Sequence, residues 1–231
     1  MKEFILISPL KILEKTSRKE LGKGNLGVLI AQAGVGKTAC LIQIAFNNIF
    51  RQKKLVHVSL EESPDKITSY YNVMYSDVVK ALDIIDDREY RAHIERDRMI
   101  LAYLNRSFDT GRLRASLGNL ANELEFLPSA LIVDGLDFEN AERAMFEEFK
   151  DIALEFEVEI WFSARSHRHI TEVNERGIPY PCHKLDDLFS IIMQLQTGSS
   201  GVFLKLLKDH DNPTFTDISV RLDPGTFLSM D

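Results

Sequence analysis

A chain of 231 residues, 45% of them hydrophobic and 27% charged, has the make-up of an ordinary globular protein. No apolar run approaches the roughly 18 residues of a membrane-spanning helix, and apolar residues are spread too evenly for a disordered tail. The net charge of −7 divides into +7 over residues 1–60 and −14 over the rest, a balance that disfavours general binding of nucleic acid.

The basic stretch Lys11, Lys15, Arg18, Lys19, Lys23 reads as a solvated face, although it could meet a polyanion. The apolar start Phe4-Ile5-Leu6-Ile7 is cut off by Pro9 and then by charges, with no small-residue cleavage site, so it does not read as a secretory signal. Cys40 and Cys182 stand far apart and form no C-x-x-C, which favours a reducing cytoplasm.

Val28-Leu29-Ile30 predicts a first strand. Residues 38–50 follow helical spacing, with Leu41, Ala45 and Ile49 on one side and Ile42, Phe46 and Phe50 beside them. Residues 55–60 predict a second strand. Ser63-Pro64 reads as a cap and first helical residue, opening a helix that turns Ile67, Tyr70, Tyr71, Met74 and Val78 inward. Met99 to Leu104 predicts a third strand. Asp109 or Thr110 caps the next helix, with Leu113, Leu117, Leu120 and Leu124 on one face and Pro128 as its breaker.

Residues 130–133 predict a fourth strand. A helix from about Glu139 to Phe156 carries Met145, Phe149, Ile152 and Phe156, and residues 159–163 predict a fifth strand around a core Trp161. Such alternation gives a βα repeat, right-handed crossovers and a mostly parallel sheet. A loop rich in Gly, Pro and charge spans roughly 166–186. Three strand-like runs follow, at 191–196, 202–207 and 218–222, separated by turn signals at 197–201 and 211–213. They read as added, partly antiparallel edge strands. The chain reads as one domain over 1–231: a lead-in at 1–25, a core at 26–165 and edge strands at 186–231.

The strongest chemical signal is Ala31-Gln32-Ala33-Gly34-Val35-Gly36-Lys37-Thr38, between a predicted strand and a predicted helix. That is the setting of a phosphate-binding P-loop. Backbone N–H groups over Ala33, Gly34, Val35, Gly36, Lys37, Thr38 and Ala39 can hold phosphate oxygens, helped by the helix N-terminus. Lys37 would reach the β- and γ-phosphates and Thr38 would offer a hydroxyl to Mg²⁺. Asp134 ends an apolar strand and is the acid for the Mg²⁺ shell, with Asp137 as the lesser candidate. Glu61-Glu62 ends the second strand, where an acid can orient an attacking water or simply favour the following helix.

These residues resemble the RecA superfamily, above all the ATPase domain of DnaB-type replicative helicases and, more loosely, KaiC-like ATPases. Val58-Ser59-Leu60-Glu61 matches the strand that delivers the family's water-orienting Glu, and the doubled Glu61-Glu62 is similar to the KaiC branch. Residues 131–136 match its Mg²⁺ strand. Phe162 to Arg168 fall where the family has a strand ending in a γ-phosphate-sensing Gln followed by Arg. Residues 207–214 fall on a late hairpin that sends Lys and Arg into a neighbouring subunit's site.

The resemblance implies a RecA-like P-loop NTPase fold with C-terminal antiparallel edge strands, ATP with Mg²⁺ as ligand and cofactor, and a homo-oligomeric ring with sites between subunits. Its trans-acting candidates are Lys208 and His210. Two departures stand out: His210 occupies the finger position, and Arg165 replaces the sensing Gln. Lys205, Arg165 or Arg168 could compensate.

The sequence reads as being without the N-terminal helical domain that, in the family it resembles, helps replicative helicases form rings. The spacing of His167, His169, Cys182 and His183 matches no zinc pattern. Mixed charges over 166–186 argue against a phosphate track for DNA. Two functions compete: a DNA-linked ATPase, and an ATP-dependent switch that docks a protein partner without motor activity.

Overall fold

Eight strands form one sheet in the order β3-β2-β4-β5-β1-β6-β7-β8. They are β1 (Leu26–Gln32), β2 (Leu55–Ser59), β3 (Arg98–Ala102), β4 (Ala130–Asp134), β5 (Glu159–Ser166), β6 (Ile191–Gly198), β7 (Gly201–Asp209) and β8 (Ile218–Leu222). The pairs from β3 to β6 are parallel, and β6–β7 and β7–β8 are antiparallel. The mixed α/β class and the partly antiparallel tail therefore stand as the pattern predicts, with β6 still parallel to β1. This computed structural model describes residues 4, 7–16, 20–103, 107–198, 201–212 and 218–230. Arg18, Lys19, Leu104, Ser199, Ser200, Pro213 and Thr214 lie outside the described residues.

Among the described residues, five long α-helices pack on the sheet: α1 (Lys37–Ile49), α2 (Pro64–Ala81), α3 (Arg88–Arg96), α4 (Thr110–Leu124) and α5 (Arg143–Glu155). One core cluster joins α1, α2 and α3 to Leu29, Ala31, Ile132 and Trp161. A second joins α4 and α5 to Val28, Ile30, Val133 and Phe162. Alternate residues of each central strand thus enter opposite layers, so these strands read as continuous apolar runs.

Local chemistry sets the helix ends. The Ser63 hydroxyl accepts from the Lys66 N–H at 3.3 Å, with Pro64 in the first turn. Asp109 caps α4 through the Arg112 N–H at 2.8 Å. Several boundaries differ from the sequence pattern. Helix α5 starts at Arg143 rather than Glu139, because the Asp137 carboxylate accepts from the Glu139 and Asn140 N–H groups and holds a turn there. Its fully buried residues are Phe146, Phe149, Ile152 and Ala153, with Met145 and Phe156 half-buried against the same core. Tyr75 is buried in α2, and Tyr70 only half so. Leu124 is 62% exposed, because the chain reverses at Glu125 (φ 50°) and Phe126 takes the interior position. Strand β3 begins at Arg98 and ends at Ala102. Helix α3 is too polar to announce itself by periodicity and buries only His93 and Ile94.

Gly27 faces Trp161 across the β1–β5 ladder. A Cβ on Gly27 would fall 2.6 Å from the indole. Gly27→Ala is expected to destabilise the fold by about 1–3 kcal/mol through overpacking. The change would be read as a lower urea midpoint at unchanged slope; an unmoved midpoint would show that the indole relaxes freely.

Candidate active site

The carboxyl ends of β1, β2, β4 and β5 open on one rim, where open α/β sheets place their ligand crevice. Beyond Gln32 the chain turns through Gly34 (φ 76°) and Gly36 (φ 103°) into α1. Both take the left-handed conformation that costs glycine nothing. At Gly36 space is a second constraint, since a Cβ would lie 2.0 Å from the Phe227 ring. Gly36 is the N-cap of α1 and has no side chain to satisfy the first-turn N–H groups. Those donors, with the helix dipole behind them, suit an anion.

The loop walls one side of a cleft of about 400 Å³ with Ala33, Gly34, Gly36, Lys37 and Thr38. Glu61 enters from beyond β2, Asp134 and Gly135 from β4, and Ser163 and Arg165 from β5. The Lys37 ammonium donates to the carbonyls of Ala31 and Gln32, each at 3.4 Å. Burial lowers its pKa; Arg165 adds to that push, while Asp134 and Glu61 oppose it. An anion in the cleft would favour the charged ammonium.

The Thr38 hydroxyl donates to Asp134 Oδ2 at 2.7 Å. Ser163 Oγ donates to Asp134 Oδ1 at 2.5 Å and accepts from the Gly135 N–H at 3.2 Å. Asp134 is thus fixed by hydroxyls on both oxygens. A hydroxyl and a carboxylate in contact are the hard oxygen donors that Mg²⁺ takes with nucleotide phosphates, so the donor set fits that ion.

Glu61 is exposed and packs over Gly135 (φ 86°), where a Cβ would meet its Cγ at 2.7 Å. Glu62 does not line the cleft; its N–H and carbonyl are both engaged by Ser59 Oγ, at 3.1 and 2.8 Å. Among the remaining loop positions, the Val35 N–H donates to the Gln32 carbonyl at 3.4 Å, and Ala39 is half-buried against the core. Asp137 holds its own turn and lines an adjoining recess. Arg168 donates to Gln32 Oε1 at 2.9 Å, beside the loop rather than in the cleft.

Lys208 and His210 lie at the other end of the sheet. Asp209 pairs with Ile191, which pairs with Gly27 at the start of β1. Lys208 Nζ donates to the Asp186 carbonyl at 2.6 Å. His210 is buried, with Nδ1 against Asp209 Oδ1 at 2.8 Å and Nε2 against the Leu21 carbonyl at 3.1 Å. Trp161 is fully buried, and both cysteines are buried and free.

His167 contacts Glu139, and His183 lies 3.4 Å from Glu172. Among the described residues no three His, Cys, Asp or Glu side chains converge on a metal position, and no helix is long and apolar enough to cross a membrane. Sequence reasoning missed Ser163 and Gly135. Ser163 carries no motif, and its importance comes only from the β4–β5 pairing that sets it beside Asp134.

The α/β architecture and this cleft fit a P-loop NTPase. A comparison with known proteins points the same way. Over 182 residues, 68% of this chain, the sequence is 26% identical to a DnaB-like replicative helicase of Enterobacteria phage T4. The matched region is 38% of that relative, so the chain spans well under half its length. No family model matches the sequence.

Proposed function

We propose that this chain is a Mg²⁺-dependent ATPase of the RecA type, related in kind to the ATPase domain of DnaB-type helicases and more loosely to KaiC-like ATPases. The observation that carries the reading is the convergence of Lys37, Thr38, Asp134 and Glu61 on one cleft. The continuous sheet supports treating residues 1–231 as one unit, with β6 to β8 as an extension of the nucleotide-binding core.

In this reading the amides from Ala33 to Ala39 and the Lys37 ammonium cradle the phosphates. Thr38 and Asp134 would hold Mg²⁺, which when bound offsets charge on the β- and γ-phosphates. Glu61 orients water for in-line attack on the γ-phosphorus. The water oxygen bonds to phosphorus, the bond to the β,γ-bridging oxygen breaks, and ADP leaves as the water proton passes to the Glu61 carboxylate. The buried free cysteines suit a reducing cytoplasm.

A second reading, an ATP-dependent switch or assembly module that docks a protein partner, draws on the charge around 166–187. There Arg176 pairs with Asp186 at 2.9 Å, and Arg143 pairs with Asp187. Cations neutralised by local acids make a weak track for a DNA backbone. Phosphate release measured with and without single-stranded DNA separates the two. Mg²⁺-dependent release is expected in both arms. Stimulation that fades with added salt marks the DNA-linked enzyme, and indifference to DNA marks the switch. A folded chain that releases no phosphate in either arm would contradict hydrolysis.

A further inference from the structure

The cleft contains one cation with no work to do inside the fold. Arg165 is exposed, and among the described residues no hydrogen bond or ion pair engages its guanidinium. Strand geometry fixes where it points. Trp161 packs in the layer containing α1, Ser163 bonds to Asp134 in the cleft, and Arg165 is the next residue on that face. Its Cα partner across the ladder is Ala31, at the root of the phosphate loop. Lys37, Glu61 and Asp134 line the same cleft.

The two hairpin candidates for a neighbour's site, Lys208 and His210, are engaged within their own chain. Lys208 is held by the Asp186 carbonyl, and both ring nitrogens of His210 have partners within its own chain. They are also separated from their own loop by the length of β1, about 16 Å at the usual strand rise. An imidazole whose two nitrogens are both engaged within its own chain has no forked donors left of the kind a guanidinium presents to phosphate oxygens.

From this arrangement we infer that Arg165 supplies the catalytic cation in cis, so that one chain holds a complete hydrolytic site and needs no residue from a neighbour. The inference rests on the ATPase reading above and deepens it. As the bond to the β,γ-bridging oxygen breaks, negative charge builds on that oxygen and spreads over the γ-phosphoryl oxygens. The Arg165 guanidinium donates to those oxygens, while the water proton goes to Glu61 as before. An assembly of several copies remains compatible with this site, but each copy turns over on its own.

The test mixes two inactive variants. Arg165→Ala is expected to lower turnover about 10³-fold, the scale of a lost arginine finger, while ADP affinity stays within about threefold, because the γ-phosphate is the group that Arg165 meets. Retained ADP binding also shows that the variant folds. Arg165→Lys keeps the charge but loses the fork, and should recover only part of the rate. Equimolar Arg165→Ala and Lys37→Ala chains are then combined. A cation acting in cis leaves the mixture as inactive as its parts.

Recovery of phosphate release on mixing would overturn the inference, because intact loops would then be receiving Arg165 from the other chain. Full activity of Arg165→Ala alone would overturn it too, as would a wild-type chain that binds ATP yet turns none over. A wild-type chain that binds no ATP would instead defeat the underlying ATPase reading.

Discussion

Lys37→Ala is expected to weaken ATP binding by about 30-fold or more and to bring phosphate release to background. The side chain is the cation at the mouth of the loop, and among the described residues its hydrogen bonds are two long ones, to the Ala31 and Gln32 carbonyls. Its charge is held at some cost, since burial and Arg165 both work against it. A polyphosphate in the cleft reverses that cost and adds charge-assisted hydrogen bonds. Removing one member of such a pair costs about 2–5 kcal/mol, equivalent to roughly 30- to 4,000-fold in affinity. Because the ammonium has no strong internal partner, thermal stability should barely move. Titration with a fluorescent ATP analogue checks this result, and unchanged affinity in a folded variant would contradict the phosphate assignment.

Glu61→Gln is expected to separate binding from chemistry. The amide keeps the shape that packs over Gly135 but cannot take a proton from water. Loss of a positioned base costs about 10²–10⁴ in rate, so turnover should fall by that factor while the dissociation constant for ATP stays within about threefold. Single-turnover phosphate release alongside equilibrium binding reads both quantities. Full activity in this variant would move the role to Glu62, whose backbone is tied to Ser59 and whose side chain lies outside the cleft wall.

The sequence exposes some parts of this site far better than others. The loop from Gly34 to Thr38 is a local signal, because two glycines, a lysine and a hydroxyl must follow one another for the backbone to curl around phosphate. Asp134 is legible as an acid ending an apolar run that resembles the family's Mg²⁺ strand; the Thr38 hydroxyl at 2.7 Å is what gives it a position. Position alone leaves Glu61 and Glu62 open, since both sit at the strand end; the family resemblance points to Glu61, and the turn through Ser59 parts the two.

Arg165 belongs to the same class of problem. Sequence patterning ends the fifth strand at Ser163, whereas β5 runs to Ser166 and thereby fixes which face the arginine takes. Lys208 and His210 look alike as hairpin residues. Their placement far from the loop follows from β7 running antiparallel to β6, and pairing direction is not written in either segment alone. The stripe on α5 is broader than the pattern suggests, with Phe146 and Ala153 buried beside Phe149 and Ile152, and Met145 and Phe156 half-buried at its edges. Local chemistry is thus readable wherever its residues are consecutive, and hidden wherever strand pairing brings them together.

Phosphate binding by this chain would depend on the backbone of one loop, and amide NMR of the labelled chain during titration with Mg²⁺ and ATP observes that backbone directly. The N–H resonances of Gly34, Gly36, Lys37 and Thr38 should shift together and saturate at one nucleotide per chain. Resonances of these four residues that stay in place up to millimolar ATP, in a folded chain, would contradict it.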